Sequence, residues 1–405
     1  MRLNRFLLTG TCLLAGLSLS SQPSTSKAAT PQAVGTQAIS KPGTLTASAP
    51  LPTALTLPDA ARSLRITYLS TNGIAGKGLV PVTAEVILPA GKAPPGGWPI
   101  VAWAHGTVGV ADHCSPSANP WSERNRAYLS AWMKRGFAIV GTDYQGLGSP
   151  GPHAYLNTRV EAYSVLDSVR AALASVQGLQ NKIMIVGQSQ GGGAAFASAA
   201  YAPDYAPELN IRGTVATGVP YISQELLQHM TSAGAHETGF NPVIVYTLYL
   251  AQGLSGYDAS FKPERVFTAK GMPAYRAAAD LCVHPLTDKA RADGLNFSNA
   301  LQPGYQQALA PALHAMLYPT MKLKQPLFVG TGEVDQDVPP ALQSGLVKAA
   351  CAAGTLVQAH IYKGLNHDQT VNASLPDSAA FTKAVMADQP LTPICTPTPE
   401  EHPTR

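Results

Sequence analysis

The sequence is poor in charged residues. Asp, Glu, Lys and Arg make up 13% of its 405 residues, against roughly 25% in an average protein. The formal net charge is +4, and three of the basic residues, Arg2, Arg5 and Lys27, lie in the first 29 residues, which contain no acid. Without these three the net charge is about +1, which argues against nucleic-acid binding through a strongly basic surface.

Long apolar runs are also missing. No run reaches the roughly 18 residues of a transmembrane helix, so we expect no integral membrane segment in the mature form. Hydrophobic residues still make up 45% of the chain, which is enough for a large core and excludes a wholly disordered protein. The length allows two average domains, or one α/β domain with an insertion.

The first 29 residues have the pattern of a secretory signal peptide. Met1 to Arg5 is a positive region, 6–20 is apolar, and small residues at 28–29 are plausible cleavage neighbours. A buried N-terminal helix is the alternative. A lipoprotein anchor at Cys12 is disfavoured because Thr11 stands where a small lipobox residue is required. The pattern predicts a secreted or periplasmic protein.

Cysteine is scarce, and its count fits export. Removal of the signal leaves four cysteines: Cys114, Cys282, Cys351 and Cys395. An even number in an exported chain indicates two disulfides. Spacing does not choose among the three possible connectivities, and four free buried thiols are the alternative.

The remaining chain alternates strands and helices. Residues 30–60 are rich in Pro, Ser and Thr and are predicted to be a linker or surface segment. A hairpin over 64–88 follows. Buried strands are then predicted at 99–105, 137–142, 182–187, 211–218, 326–332 and 356–362, and helices at 122–136, 158–177, from 189, near 340–352 and near 376–387. Strands alternating with helices indicate an α/β fold with a mostly parallel sheet covered on both faces.

Two segments depart from this rhythm. Residues 221–320 read as irregular helices, with an apolar piece from Val243 to Leu250. The tail at 391–405 is Pro-rich and is predicted to be irregular.

The strongest chemical signal is GQSQG at 187–191, which matches G-x-S-x-G. The pattern is weak alone, but here it follows the strand at 182–187 and opens a helix rich in Gly and Ala. This context is typical of a nucleophile elbow, with Ser189 as nucleophile and Gly187 and Gly191 allowing close backbone approach. A Gly-rich turn capped by Ser is the structural alternative.

A serine nucleophile needs a base, which in this fold comes last in chain order. His367 follows the last predicted buried strand, in a loop with Gly364 and Asn366. His360 lies inside that strand pattern and His402 in the tail, so His367 is the candidate base.

The acid should follow the preceding strand. GTGEVDQDVPP offers Glu333, Asp335 and Asp337. Asp335 fits best because it falls in the turn before Pro339 opens the next helix. Asp337, which could instead cap that helix, and Glu333 stay open as alternatives.

An oxyanion hole needs two donors. Gly106 in WAHGTVG permits a tight turn that can direct the Thr107 amide towards Ser189, and the Gln190 amide is the second candidate. An ordinary strand-end turn is the alternative. Asp143 and Tyr144 end a strand and are interpreted as structural supports of the site.

These motifs together resemble the secretory lipase family of the α/β-hydrolase superfamily. The resemblance covers about 61–395 and is carried by AWAHGTVGVADHCSPS, RGFAIVGTDYQGLGSPGPHAY, EAYSVLDSVRAA, GQSQGGGAA and GTGEVDQDVPP followed by NHDQT. It implies an α/β-hydrolase fold over 61–390 with a lid insertion at about 221–320. One departure is Gln188, where many relatives have His or Tyr.

The resemblance also implies specific residues. Ser189, Asp335 and His367 would form the triad, and the disulfides would be Cys114–Cys282 and Cys351–Cys395. The sequence contains neither a C-x-x-C nor an H-E-x-x-H pattern, which would indicate a metal site. No cofactor is expected.

The predicted function is that of a secreted carboxylic ester hydrolase, a lipase or esterase acting through an acyl-enzyme. Its partner would be an ester substrate, which it could meet at a lipid interface. A serine peptidase or amidase on the same fold is the first alternative. A non-catalytic hydrolase-like binding protein is disfavoured because no triad member is missing. The apolar run from Val243 to Leu250 could line an acyl pocket or form the core of the lid; Ile244 and Leu248 are expected to influence chain-length preference in the first case.

Overall fold

The computed structural model describes residues 40–225 and 239–401. The predicted signal peptide and the first part of the 30–60 segment lie outside these residues, as does a short part of the insertion. Within the described chain, no helix combines the length and the apolar character that a bilayer crossing requires.

A ten-stranded sheet organises the described residues, in the order β1-β2-β3-β5-β4-β6-β7-β8-β9-β10. The first three neighbouring pairs are antiparallel and all the others are parallel. The strands are β1 Leu45–Pro50, β2 Ala60–Thr71, β3 Leu79–Pro89, β4 Trp98–Ala104, β5 Ala138–Thr142, β6 Leu179–Gln188, β7 Ile211–Thr217, β8 Leu327–Gly332, β9 Val357–Tyr362 and β10 Pro399–Glu400. Every predicted strand is therefore present.

Helices connect the parallel strands and cover both faces of the sheet. The α-helices of the described residues are α1 Glu123–Lys134, α2 Thr158–Ser175, α3 Gln190–Tyr205, α4 Val243–Tyr257, α5 Met272–Ala277, α6 Val283–Ala292, α7 Phe297–Ala300, α8 Tyr305–Ala308, α9 Ala310–Ala315, α10 Pro340–Ala352, α11 His367–Ala373 and α12 Leu375–Met386. Their caps follow the sequence: Ser122 accepts from Asn125 N, and Asn157 accepts from Val160 N.

Strand β4 explains why a central strand reads as a continuous apolar run. Ile100 and Ala102 pack into the cluster formed with α2, α3 and α10, whereas Val101 and Trp103 pack into the cluster formed with α1 and α12. Because successive side chains point to opposite faces, both of which are covered, every residue must be apolar.

Two segments contain strands that the sequence analysis did not predict. In the 30–60 segment, Leu45–Pro50 is an edge strand antiparallel to β2. In the tail, predicted to be irregular, Pro399–Glu400 pairs with β9, and Ile394 N donates to Val357 O at 2.7 Å. Both are largely exposed, so backbone pairing rather than apolar periodicity holds them, and they leave little hydrophobic pattern.

The chain between β7 and β8 forms a helical layer with its own hydrophobic core. Buried apolar residues from α4 to α9 make one cluster, which includes Ile244, Leu248, Phe267 and Leu286. Apart from Tyr155, the buried members of this cluster lie between Ile244 and Leu313.

Two disulfides cross-link the described residues. Cys114–Cys282 ties the loop after β4 to the start of α6, and Cys351–Cys395 ties the end of α10 to the tail. The paired cysteines are 168 residues apart in the sequence in the first disulfide and 44 residues apart in the second. Long closures of this kind restrict the unfolded chain most strongly in the chain-entropy model.

We expect replacement of Cys351 and Cys395 by Ser to lower the free energy of unfolding by roughly 3–5 kcal/mol. Thermal unfolding of the double variant beside the parent protein measures the effect. Thiol counting on the denatured, unreduced mature protein provides the control and should find no free thiol. Equal melting of the two proteins would contradict a structural role for this bond.

Candidate active site

Ser189 occupies a strained turn between β6 and α3. Its backbone has φ 59° and ψ −126°, which is rare for a residue with a side chain and costs about 1–3 kcal/mol. Only glycine fits on either side: a Cβ on Gly187 would lie 1.9 Å from Gly191 O, and one on Gly191 would lie 1.8 Å from Ala104 O. The predicted elbow glycines are therefore required by close packing, which holds Ser189 at the carboxyl edge of the sheet.

His367 and Asp335 form a buried hydrogen-bonded pair, with 2.7 Å between Nδ1 and Oδ2. His367 begins α11, where Asn366 caps the helix by accepting from Gln369 N. Since an ionised carboxylate only accepts, the imidazole donates from Nδ1, and the neutral form of the ring therefore has its lone pair on Nε2. Ser189 and His367 line the same pocket.

The carboxylate of Asp335 is fixed by three further donors. Its Oδ1 accepts from the backbone N–H groups of Asp337 and Val338, both at 2.9 Å, and its Oδ2 accepts from Gln343 Nε2 at 3.0 Å. These bonds orient the acid towards His367.

The other two candidate acids have different partners. Asp337 accepts a hydrogen bond from the Tyr246 hydroxyl of α4. Glu333 accepts from Gly364 N at 2.8 Å. Of the three, it is Asp335 that the structure places on the imidazole.

The two predicted oxyanion donors lie beside Ser189. A Cβ on Gly106 would stand 3.5 Å from Ser189 Cβ and 2.5 Å from Gln188 Oε1, so the loop carrying Thr107 passes directly over the elbow. Thr107 lines a pocket with Ser189, and its hydroxyl bonds to Tyr155 at 2.6 Å. Gln190 is the first residue of α3, where a backbone N–H has no partner within the helix.

Asp143 and Tyr144 support the loops around the site. Asp143 accepts from Ser117 N at 2.8 Å and from Thr83 Oγ1 at 2.6 Å, and burial raises its pKa to about 6. Tyr144 donates to His105 O at 3.0 Å, one residue before Gly106. These contacts agree with the interpretation of both residues as structural supports.

A buried acid that the sequence analysis missed lies behind the elbow. Glu161 of α2 accepts from Gln190 Nε2 at 2.8 Å and from Leu156 N at 3.1 Å. Burial raises its pKa to about 8, although both hydrogen bonds act in the opposite direction. The available signal was an acid on the apolar side of a helix that is otherwise amphipathic.

We expect Glu161→Gln to stabilise the protein increasingly as the pH rises. The raised pKa means that the folded state keeps a proton that the unfolded state loses. This stability is therefore fully present below an ordinary value of 4.5 and is lost as the pH rises to about 8. Melting temperatures of both proteins across this range measure the effect. A difference that does not grow with pH would show that Glu161 stays ionised in the folded protein.

Ser189 lines two pockets that differ in character. One is an apolar cavity of about 330 Å³ under the insertion, lined from α4 by Val243, Tyr246, Thr247 and Leu250. These positions follow the i, i+3, i+4, i+7 spacing of one helix face. Part of the apolar run thus lines the cavity. Ile244 and Leu248 are instead fully buried in the hydrophobic cluster of the insertion, which favours the alternative interpretation that these two residues form its core.

The second pocket has a volume of about 440 Å³ and is lined mainly by residues with polar or charged side chains. Thr107, Arg124, His284, His367 and Asp368 are among its lining residues. Tyr246 and Asp337 line both pockets, so their hydrogen bond lies on the boundary between them.

Two groups of side chains approach metal-ligand spacing among the described residues. In the first, Cys114 and Cys282 are joined in a disulfide, which removes the thiolates that would bind a metal. In the second, the oxygens of Asp335 and Asp337 and the nitrogen of His367 are already engaged in the hydrogen bonds described above. Neither group therefore has a set of side-chain atoms that are free to coordinate a metal ion.

The sheet order and the strand–turn–helix that carries Ser189 are those of the α/β-hydrolase fold. Solved structures show the same fold. The closed state of Candida antarctica lipase A has a TM-score of 0.71 at 22% identity and covers 89% of this chain and 86% of that one. The rice cell wall degrading esterase LipA from Xanthomonas oryzae has a TM-score of 0.64 at 19% identity and covers 86% of this chain and 100% of that one.

The predicted resemblance to the secretory lipase family is confirmed. The model of the family named Secretory lipase matches residues 122–245. The secreted triacylglycerol lipase LIP4 of Malassezia globosa is 27% identical over 178 residues, which are 40% of this chain and 36% of that protein. Lipase 7 of Candida albicans is 33% identical over 100 residues, or 24% of this chain and 22% of that protein. The alignments therefore span 36% of the first relative's length and 22% of the second's.

Proposed function

We propose that this chain is a serine-dependent hydrolase of carboxylic esters with apolar acyl groups. The observation that carries the proposal is the position of Ser189. Ser189 lines an apolar cavity and also shares a second pocket with a histidine that is hydrogen-bonded to a buried carboxylate. A cavity of about 330 Å³ is suited to an acyl chain.

In the proposed mechanism Ser189 attacks the ester carbonyl while His367 Nε2 takes its proton. Asp335 holds the ring in the required tautomer and stabilises the imidazolium. The backbone amides of Thr107 and Gln190 would stabilise the tetrahedral oxyanion. His367 then protonates the leaving alcohol, and water hydrolyses the acyl-enzyme by the same route in reverse.

The two pockets suggest how the ester is placed. The acyl chain would enter the apolar cavity, and the alcohol would leave through the polar pocket near Arg124 and His284. The reacting carbonyl would lie between them at Ser189. The names of the relatives, a triacylglycerol lipase and a cell wall degrading esterase, are compatible with this division but do not choose the alcohol.

A comparison of p-nitrophenyl esters from acetate to palmitate with aminoacyl p-nitroanilides tests the proposal. We expect hydrolysis of the esters, with the best chain length set by the cavity, and little cleavage of the anilides. Preferential cleavage of the anilides would instead favour a peptidase. Within the described residues, the charged group lining the apolar cavity is Asp337, which is bound to Tyr246 and so is a poor anchor for a substrate amine.

We also propose that the protein is exported and that residues 1–29 are removed. The secretory family, the relative named as secreted and the two disulfides support this. The hydrolase domain would then cover 61–390, with 221–320 as its lid. N-terminal sequencing of the mature protein tests the cleavage, and an N-terminus at Met1 in exported material would contradict it.

Neighbouring residues of α4 should separate chain-length preference from stability. Val243→Phe adds bulk at the cavity wall and should shift the preference towards shorter acyl chains. Ile244→Ala opens a void in the core of the insertion and should cost about 2–5 kcal/mol without changing the preference. The chain-length series and thermal unfolding of both variants measure this. The acyl group binds elsewhere if Val243→Phe leaves the series unchanged.

A further inference from the structure

The side chain of Gln188 contacts the nitrogen of His367 that the proposed reaction needs. Gln188 Nε2 lies 2.8 Å from His367 Nε2. Because Nδ1–H of the ring donates to Asp335, Nε2 carries the lone pair and the Gln188 amide is the donor. The lone pair expected to receive the Ser189 proton is thus already engaged.

The orientation of this amide is fixed from its other side. Gln188 Oε1 accepts from Arg124 Nη2 at 3.3 Å, and Arg124 in turn pairs with Asp368. A cation can only donate to the amide, so the oxygen must face Arg124 and the N–H₂ must face His367. The side chain is also buried, at 2% exposure, and lies across Gly106.

The hydroxyl of Ser189 is the other partner that the proposed reaction requires for His367 Nε2. Among the described residues this hydroxyl makes no hydrogen bond, although Ser189 lines the same pocket as the ring. An imidazole lone pair accepts one good hydrogen bond at a time, so Gln188 and Ser189 are alternative partners of Nε2.

We propose that Gln188 is a positioning residue that holds the lone pair of His367 in the substrate-free protein and releases it to Ser189 when substrate binds. The inference rests on the proposed function. A bond made before the reaction but lost in its transition state slows the reaction. A neutral hydrogen bond of this kind corresponds to a factor of about 3 to 10 in rate.

The same contact links Gln188 to the pH profile. An amide N–H directed at Nε2 favours the neutral ring, because the imidazolium would place two N–H groups face to face. Several other titratable or charged groups surround this ring, so the comparison must be made between variants of one protein. These groups are Asp335 and Asp337 from the loop after β8, Asp368 from α11, Arg124 from α1, Tyr246 from α4 and His284 from α6.

The test is the rate at which diethyl p-nitrophenyl phosphate, a small probe without a long acyl chain, phosphorylates Ser189 with release of p-nitrophenolate across the pH range. Gln188→Met removes the donor and keeps the volume; it should raise the plateau rate about 3- to 10-fold. The acidic limb of the pH–rate profile of this variant should move to higher pH. Gln188→Glu, whose carboxylate would hold the imidazolium, should move that limb further. Gln325→Met, at a buried glutamine away from the site, is the matched control and should behave as the parent protein.

Failure of the inference is distinguishable from failure of the proposed function. Suppose that the parent protein is phosphorylated at Ser189, and that Gln188→Met has the same plateau rate and the same acidic limb or reacts more slowly at every pH. This result would overturn the role of Gln188 but not the proposed function. If Gln188→Met does not fold, Gln188→Glu provides the test. An acidic limb of its pH–rate profile at the same pH as in the parent protein would also overturn the role of Gln188. A parent protein that neither reacts at Ser189 nor hydrolyses esters contradicts the proposed function itself.

Discussion

Replacing Ser189 by Ala should abolish ester hydrolysis and leave the fold intact. The hydroxyl is the only group that the substitution removes, and it is the proposed nucleophile at the strained turn between β6 and α3. Because nucleophile, base and acid act as one unit, we expect kcat to fall by about 10³-fold or more. Initial rates on a p-nitrophenyl ester, with thermal unfolding as a check of the fold, measure the effect.

Ser198→Ala is a matched control for this variant. Ser198 lies in α3, the helix that follows Ser189, is also buried, and donates to Ala194 O away from the pockets. It should keep nearly full activity. Near-normal activity of a clean Ser189→Ala preparation would exclude the proposed mechanism.

Asp335→Asn should lower kcat by about 10³- to 10⁴-fold, the second-largest effect that we expect. An amide in this position can donate to His367 Nδ1, which would move the ring proton to Nε2 and leave no lone pair for Ser189. Steady-state kinetics measure the loss of kcat. A series of pH values distinguishes this loss from a simple shift of the pH optimum.

The neighbouring acids provide the comparison. Asp337→Asn can still accept from Tyr246, and Glu333→Gln can still accept from Gly364 N, so each should stay within about 10-fold of the parent protein. An equal loss in Asp337→Asn and Asp335→Asn would reject Asp335 as the sole orienting acid.

Sequence reasoning reached much of the candidate site because strong local constraints specify it. A continuous apolar strand followed by GQSQG leaves few possibilities other than a tight turn, since only glycine fits at 187 and 191. His367 could be chosen because it follows the last buried strand. The parallel strands then bring Ser189 and His367 to one edge of the sheet.

Choosing among residues that share a loop or a helix required the tertiary structure. Glu333, Asp335 and Asp337 are within five residues of one another, and what separates them is the direction of each side chain after β8. Val243 and Ile244 are both apolar because one face of α4 meets the cavity and the other meets the core of the insertion. A helix that is apolar all round carries no periodic signal to distinguish its faces.

The sequence by itself therefore determined the α/β layering and the tight glycine turn at Ser189, because these follow from short-range sterics and from the period of buried residues. Only the tertiary structure decided which acid meets His367, that Gln188 engages its free nitrogen, and that Glu161 lies buried behind the elbow. It also decided that the exposed 45–50 and 399–400 segments join the sheet. Each of these depends on contacts between residues far apart in the chain, which local pattern and propensity do not encode.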